Sequence, residues 1–327
     1  MAGVSKSLVS LVMRGAPQVS DRRREAVLRA AQELGYQPNA VARSLVQRRT
    51  HTIGVLVSDL HNPFVADIVD GVDARGTELG YQPLLGNSRR QPRREEDLLT
   101  AFAGLRVEGL IMLAPVVGSA VLRTAAAAQP LVVVSRPDLR VTGVDTVVND
   151  EAAGVRLAVE HLVSLGHTDI AHIAGAGSAA AERRRGYEQA MRDQGLDDHI
   201  NLVPGGYSEE DGYQGARALL DAGPPTALIV ASDLAAMGAL TAIGDAGLRV
   251  PDDISVVGYD NTALAALRYV SLTSVNQPRQ EMGNMATDML HDRIEGRRTR
   301  ARRQVVTPTL VTRRSTGPCP HPSVSAR

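Results

Sequence analysis

The chain has 327 residues, 43% of them hydrophobic and 22% charged, a composition that fits two or three packed units and excludes a largely disordered protein. Its only cysteine, Cys319, excludes an intrachain disulfide and a cysteine-based zinc site, and the sequence contains neither a run of eighteen apolar residues nor a secretory leader. The net charge of zero conceals an asymmetry: residues 1–50 carry nine Lys/Arg against three acids, leaving 27 basic and 33 acidic residues in the rest. A short basic segment on an acidic body is what attraction to phosphates at one end requires, though a solvated basic face has the same composition.

In chain order, the first fifty residues read as helical. Ser5 is a plausible N-cap for a helix with Leu8, Val9 and Val12 on one face, stopped by Arg14-Gly15-Ala16-Pro17. A second helix starts at Ser20, places Ala26, Val27, Ala30, Ala31 and Leu34 at helical spacing, and ends at Gly35. Tyr36-Gln37-Pro38-Asn39 leads to a short amphipathic stretch over 40–46, then to a linker. From residue 52 strand and helix alternate. Apolar runs at 53–57, 83–86, 109–114, 131–134, 146–148, 170–174, 227–231 and 255–258 predict strands covered on both faces, with helices of roughly 12–18 residues between them, as parallel sheets with crossovers require. Eight strands divide near Asn149 into two similar doubly wound units, and ligands of such sheets sit at the carboxyl ends of the strands.

A short helix, a turn and a longer helix with basic and small polar residues suit insertion into a major groove. Ser5, Lys6, Ser7 and Ser10 are the positions able to reach phosphates or base edges, although each taken singly is an ordinary solvent-exposed residue. Two other features are weaker. Gly175-Ala176-Gly177-Ser178-Ala179-Ala180 follows a strand like a dinucleotide fingerprint, but no strand-terminal acid follows about twenty residues later, so a tight strand-to-helix turn is the better reading and no cofactor is expected. His161 and His167 lack further clustered ligands, so no metal is expected, and no nucleophile–base arrangement supports an enzyme.

Gly3-Val4-Ser5, Val9-Ser10, Val19-Ser20 and the run from Leu34 to Leu45 (LGYQPNAVARSL) resemble the headpiece of the lactose-repressor/galactose-repressor (LacI/GalR) family. The resemblance continues through Thr52-Ile53-Gly54-Val55-Leu56-Val57, Asn62-Pro63-Phe64, His161-Leu162-Val163-Ser164-Leu165-Gly166-His167, Arg183-Arg184-Arg185-Gly186-Tyr187, Ser255-Val256-Val257-Gly258-Tyr259-Asp260 and Leu272-Thr273-Ser274-Val275. It implies an α/β protein of several parts. A helix-turn-helix headpiece over 1–38, apparently without its first helix, is followed by a hinge helix and linker over 39–50. Two doubly wound lobes of periplasmic-binding-protein type span 51–316, the first over 51–148 and 278–304, the second over 149–277 and 305–316, before a disordered tail over 317–327.

The resemblance also implies roles. Leu45 takes the position that wedges into the minor groove, with Asn39 and Ala42 close to the DNA. Between the lobes it implies effector contacts from Asn62 and Phe64, Arg183, Tyr207 (a stacking aromatic), Asp233, Asp260 and Gln277; for Asp233 a helix-starting acid is an equal reading. The implied protein is a cytoplasmic repressor, a homodimer on a pseudo-palindromic operator, controlled by a small molecule and most simply by a sugar. The rival is a transport-type sugar-binding protein, against which the basic helical start weighs. Three departures matter. The family's first helix precedes Gly3-Val4-Ser5, so the resemblance implies either a true start upstream, the favoured reading, or a headpiece that is not stable, and weak operator binding by the 327-residue chain as given. Leu8 and Leu11 stand where many relatives carry Thr and Arg, and Arg279 stands where some sugar-responsive relatives carry an aromatic. The end of the chain lacks the leucine heptads that build tetramers, which favours a dimer.

Overall fold

A computed structural model describes residues 4–13, 18–34 and 49–320. The chain divides into two compact units, Met1–Thr50 and His51–Arg327. In the first, α1 spans Lys6–Met13 and α2 spans Asp21–Glu33. Ser5 caps α1, its Oγ accepting from the amide of Leu8 at 3.2 Å. Val12, Val19 and Val27 form the small core, with Val4, Leu8, Val9 and Leu11 leaning on it. Leu34, expected on the apolar face, is 73% exposed, since it lies at the C-cap of α2 beyond the reach of that core. Asn39, Ala42, Leu45 and the expected hinge helix lie outside the described residues.

The second unit holds two six-stranded sheets. The first contains β1 (Thr52–Val57), β2 (Gln82–Asn87), β3 (Leu110–Leu113), β4 (Leu131–Val134), β5 (Val144–Asn149) and β11 (Arg303–Val306) in the order β11-β5-β4-β3-β1-β2, all parallel. The second contains β6 (Ile170–Ala174), β7 (Asn201–Pro204), β8 (Ala227–Val230), β9 (Ser255–Asp260), β10 (Thr273–Asn276) and β12 (Thr309–Val311) in the order β12-β10-β9-β8-β6-β7, with β12 antiparallel at one edge. Side chains alternate between the two faces, as the pleat demands: Ile53, Val55 and Val57 enter one core of the first lobe with Ile111 and Leu113, while Leu56, Leu110 and Met112 enter the other. Helices cover both faces: α3 (Pro63–Glu78), α4 (Pro92–Gly104) and α5 (Ser119–Ala128) in the first lobe, and α6 (Glu151–Ser164), α7 (Gly177–Asp193), α8 (Glu209–Ala222), α9 (Asp233–Asp245) and the short α10 (Ala263–Ala266) in the second. The last helix, α11 (Arg279–Ile294), returns to the first lobe, where Met282, Ala286 and Leu290 join its core.

The chain therefore crosses between lobes after β5, after β10 and between β11 and β12. Val305 and Val306, placed in the second lobe from sequence, belong to β11 of the first sheet, because the crossing needs only the two residues before Thr309. The first part of the expected tail is packed. The Gly317 amide donates to Ser255 Oγ at 3.0 Å, its carbonyl lies 3.0 Å from His167 Nε2, and the Cys319 amide donates to the Leu165 carbonyl, so residues 317–320 are ordered, while 321–327 lie outside the described residues. His161 likewise meets Thr316 Oγ1 at 2.9 Å. Both histidines anchor the end of the chain, and among the described residues no group of His, Cys, Asp or Glu is placed to hold a metal. No described helix is long and apolar enough to cross a membrane.

Candidate functional site

The carboxyl ends of the strands in both lobes face one cavity of about 230 Å³, near the small end of small-molecule sites. From the first lobe come Ser58, Asn62, Phe64, Arg90, the loop from Ala114 to Val116, Ser135 and Arg136; from the second come Glu151, the turn from Ala176 to Ala179, Arg183, Tyr207 and Asp260. Asn62 caps α3, its Oδ1 accepting from the Phe64 amide at 3.0 Å, with Pro63 at the first helical position. That bond leaves the side-chain amine for a ligand and sets Phe64 in the first turn beside the cavity. Four lining residues, Arg90, Ala114, Ser135 and Asp260, hold positive φ angles of 57°, 47°, 60° and 106° without being glycine. Such conformations persist where the surroundings enforce them, and they cluster at binding sites.

Arg183 is the best-held charge. It is 5% exposed, donates from Nε to Glu151 at 2.7 Å and from Nη1 to the Ala231 carbonyl at 2.6 Å, and lies 3.6 Å above the Tyr259 ring. Glu151 also accepts from the Tyr259 hydroxyl at 3.0 Å, and Asn149 donates to that hydroxyl at 3.1 Å. Burial opposes the charge on Arg183, but Glu151, with the neighbouring Tyr and Asp groups, outweighs it and holds the guanidinium protonated. A glycine brings the pair together: a Cβ on Gly186 would sit 2.6 Å from the Ala152 backbone, so its absence lets α7 close on α6.

Asp260 ends β9, is 4% exposed, and accepts from Gln277 Nε2 at 2.7 Å. Burial, with Asp233 nearby, pushes its carboxyl up to about 8 against the pull of Arg183, so near neutral pH it is mostly a neutral acid able to donate as well as accept.

Two expected site residues do not reach the cavity. Asp233 starts α9 behind Ser232 and spends both oxygens on Thr262 and Ser274, so it is a buried organiser of the β9–α10 turn, the alternative the sequence left open. Gln277 stands behind Asp260 as its hydrogen-bond partner. The other five, Asn62, Phe64, Arg183, Tyr207 and Asp260, line the cavity together.

Sequence reasoning missed Glu151, Arg90 and Arg136, because their relevance arises from partners far away along the chain. It also set aside the glycine turn at 175–180. That turn is indeed a strand-to-helix connection, yet it lines the cavity, and a Cβ on Gly175 would lie 2.5 Å from the Tyr207 ring, so the glycine makes room for the aromatic.

With this geometry in hand, the likeness to known proteins is specific. Residues 1–39 match bacterial regulatory proteins of the lacI family, and residues 159–316 match the periplasmic binding protein-like domain. The chain is 35% identical to the HTH-type transcriptional regulator DegA of Bacillus subtilis, over 97% of this chain and 96% of DegA. It belongs to the LacI family. Another member, the HTH-type transcriptional regulator CelR of Thermobifida fusca, is 37% identical over 96% of each chain. Among solved structures, the lac repressor dimer bound to operator and the anti-inducer ONPF superposes with a TM-score of 0.87 at 32% identity, covering 97% of this chain and 96% of that one. The CelR–cellobiose complex superposes at 0.75 with 36% identity over 96% and 97%. The protein is thus a DNA-binding transcription regulator of the LacI family with a ligand-binding domain, and its relatives are regulators rather than enzymes.

Proposed function

We propose that this LacI-family regulator is a repressor working as a homodimer in the cytoplasm, where two headpieces engage the half-sites of a pseudo-palindromic operator, and that a sugar bound in the cleft sets its operator affinity. The observation that carries the reading is the convergence on one cavity of polar and aromatic groups from both lobes: Asn62 and Phe64 from the first, Arg183, Tyr207 and Asp260 from the second. Hydroxyls need paired donors and acceptors, and a sugar ring needs an apolar platform, which Phe64 and Tyr207 offer in a chain with two Phe and no Trp. The relative crystallised with cellobiose supports the same ligand class. A ligand that touches both lobes favours their closed arrangement, and it regulates only by its differential affinity for the two states. In this reading Ser5, Lys6, Ser7 and Ser10 carry groove and phosphate contacts from the start of α1. Asn39, Ala42 and Leu45 contact the DNA from the hinge, with Leu45 as the minor-groove wedge.

The experiment is a mobility shift on the gene's own promoter at fixed salt, with and without a panel of monosaccharides and nucleobases. The expected result is a retarded band that one sugar weakens or strengthens. Activity confined to a nucleobase would leave the repressor and sink the sugar. A protein that retards no DNA, but whose melting temperature a sugar raises, would be a sugar-binding module of the transport type.

A further inference from the structure

The charges around the cleft narrow the class of ligand. On the second lobe's wall they cancel: Arg183 and Glu151 neutralise one another at 2.7 Å, and burial keeps the Asp260 carboxyl mostly uncharged near pH 7. The first lobe's wall is different. Arg90 and Arg136 line it, and no acid of that lobe does. Their nearest carboxylates, Asp59 at 3.8 Å from Arg90 and Asp138 at 3.7 Å from Arg136, stand beyond hydrogen-bonding distance and outside the lining. Arg136 spends Nη1 on the carbonyls of Pro115 and Val117 at 3.4 and 2.6 Å, and among the described residues its Nη2 makes no hydrogen bond. Arg90 lies 5.5 Å above the Tyr207 ring and makes no side-chain hydrogen bond to a described residue.

Both cations are held in place. Glu95, fully buried in the first turn of α4, accepts from Ser88 Oγ at 3.1 Å, on the loop that carries Arg90. The same carboxylate accepts from the amides of Val116 and Val117, each at 2.9 Å, in the loop whose carbonyls grip Arg136. One buried carboxylate therefore fixes the loop that carries Arg90 and the loop that accepts from Arg136. Arg89 and Arg90 both take left-handed φ angles, 53° and 57°, a strained pair that turns the chain at the mouth of the cleft. Arg136, held by the carbonyls of Pro115 and Val117 before the ligand arrives, loses little entropy on binding.

We propose that the ligand carries an anionic group, a carboxylate or a phosphate, which binds to Arg90 and Arg136 on the first lobe's wall while its hydroxyls meet Arg183 and Asp260 on the second. The ligand class becomes an acidic sugar, a sugar acid or a sugar phosphate. This inference rests on the cleft being the effector site, as proposed above.

Isothermal titration calorimetry on the full chain at pH 7 tests it. The probes are glucose, galactose and ribose, the uronates glucuronate and galacturonate, and the esters glucose 6-phosphate, galactose 6-phosphate and ribose 5-phosphate. The expected result is that at least one anionic probe binds tenfold or more tightly than its neutral parent. Arg136→Gln and Arg90→Gln should each weaken that probe by about 10–100-fold, the worth of a charge-assisted hydrogen bond, and the neutral sugar by much less. Which arm responds separates carboxylate from phosphate. Among the described residues Arg90 makes no side-chain hydrogen bond, and it is 43% exposed, so Arg90→Gln keeps the fold even where Arg136→Gln loosens its loop; melting temperatures without ligand check this. A neutral sugar that binds as tightly as its acid and ester, or an anion preference that survives both substitutions, overturns the inference and leaves the sugar-controlled regulator standing. Silence from neutral and anionic probes alike removes the sugar reading and this inference with it.

Discussion

The headpiece and the ligand-binding body are built to different standards. Among its described residues the headpiece buries three valines, Val12, Val19 and Val27, with Val4, Leu8, Val9 and Leu11 packed against them, and leaves Leu28 and Leu34 at 48% and 73% exposure. The body covers both faces of two sheets, so that in β1 each of Ile53, Val55, Leu56 and Val57 is buried to 1% exposure or less. The difference teaches where control is cheapest. Four filled cores fix the side chains that line the cleft of the body, whereas a smaller core leaves less to overcome when a coupling of about 1–3 kcal/mol orders or releases the headpiece.

The largest effect is expected from a break inside the body. Glu151→Ala leaves Arg183 buried without its carboxylate, and losing one member of such a pair costs about 3–5 kcal/mol. Urea denaturation followed on the body should show the loss, and the double change Glu151→Gln with Arg183→Met should recover much of it. A loss below about 1 kcal/mol would mean that water reaches the pair. Next is Val27→Ala in the headpiece, expected to cost about 2 kcal/mol from two buried methyl groups and the cavity they leave. Hydrogen exchange should report headpiece amides opening more readily and operator binding weakened, while the melting temperature of the body stays unchanged. If both units lose stability together, the body supports the headpiece and the contrast drawn above is wrong.

The same contrast governs what could be read from the sequence. In the body, continuous Val/Ile/Leu runs marked eight strands, because strands covered on both faces must be apolar throughout. The four that escaped have local reasons. β7, β11 and β12 lie at sheet edges where polar residues are tolerated, so Arg303 and Gln304 stand exposed in β11. β10 is central and buried but reads Thr-Ser-Val-Asn, and it is tolerated because Ser274 donates to Asp233 and Thr273 bonds to the Arg313 carbonyl and amide. In the cleft, family motifs pointed to Asn62, Phe64, Arg183, Tyr207 and Asp260, which sit at a strand end, at a helix start or in the loop leading to one, or in the second turn of a helix. Glu151 and Glu95 gave no such signal. A buried carboxylate is indistinguishable from a surface one until the fold supplies its partners, and those of Glu95 lie at positions 88, 116 and 117.

The smallest expected effect is a slope rather than a loss, and it belongs to the body through Asp260. Its carboxyl is pushed from the ordinary 3.8 up to about 8 by burial and by Asp233. The unfolded chain therefore releases this proton near pH 4 and the folded chain near pH 8, so between those values the folded state binds the extra proton and stability falls as pH rises. Below about pH 7.5 other groups intrude. Asp233, raised to about 6 by burial, adds to the slope, while His172, which burial lowers to about 4, and His161 and His167, which burial also lowers, oppose it because the unfolded chain then takes up protons that the folded one refuses. The window from about pH 7.5 to 8.5 isolates Asp260. Across it the urea midpoint of the wild type should decline, and that of Asp260→Asn should stay level, because the amide has no proton to lose. A wild-type midpoint that does not move would mean that Asp260 is already ionised in the folded cleft. Ligand hydroxyls would then meet a carboxylate that only accepts, and the second lobe's wall would carry a negative charge to set against Arg90 and Arg136.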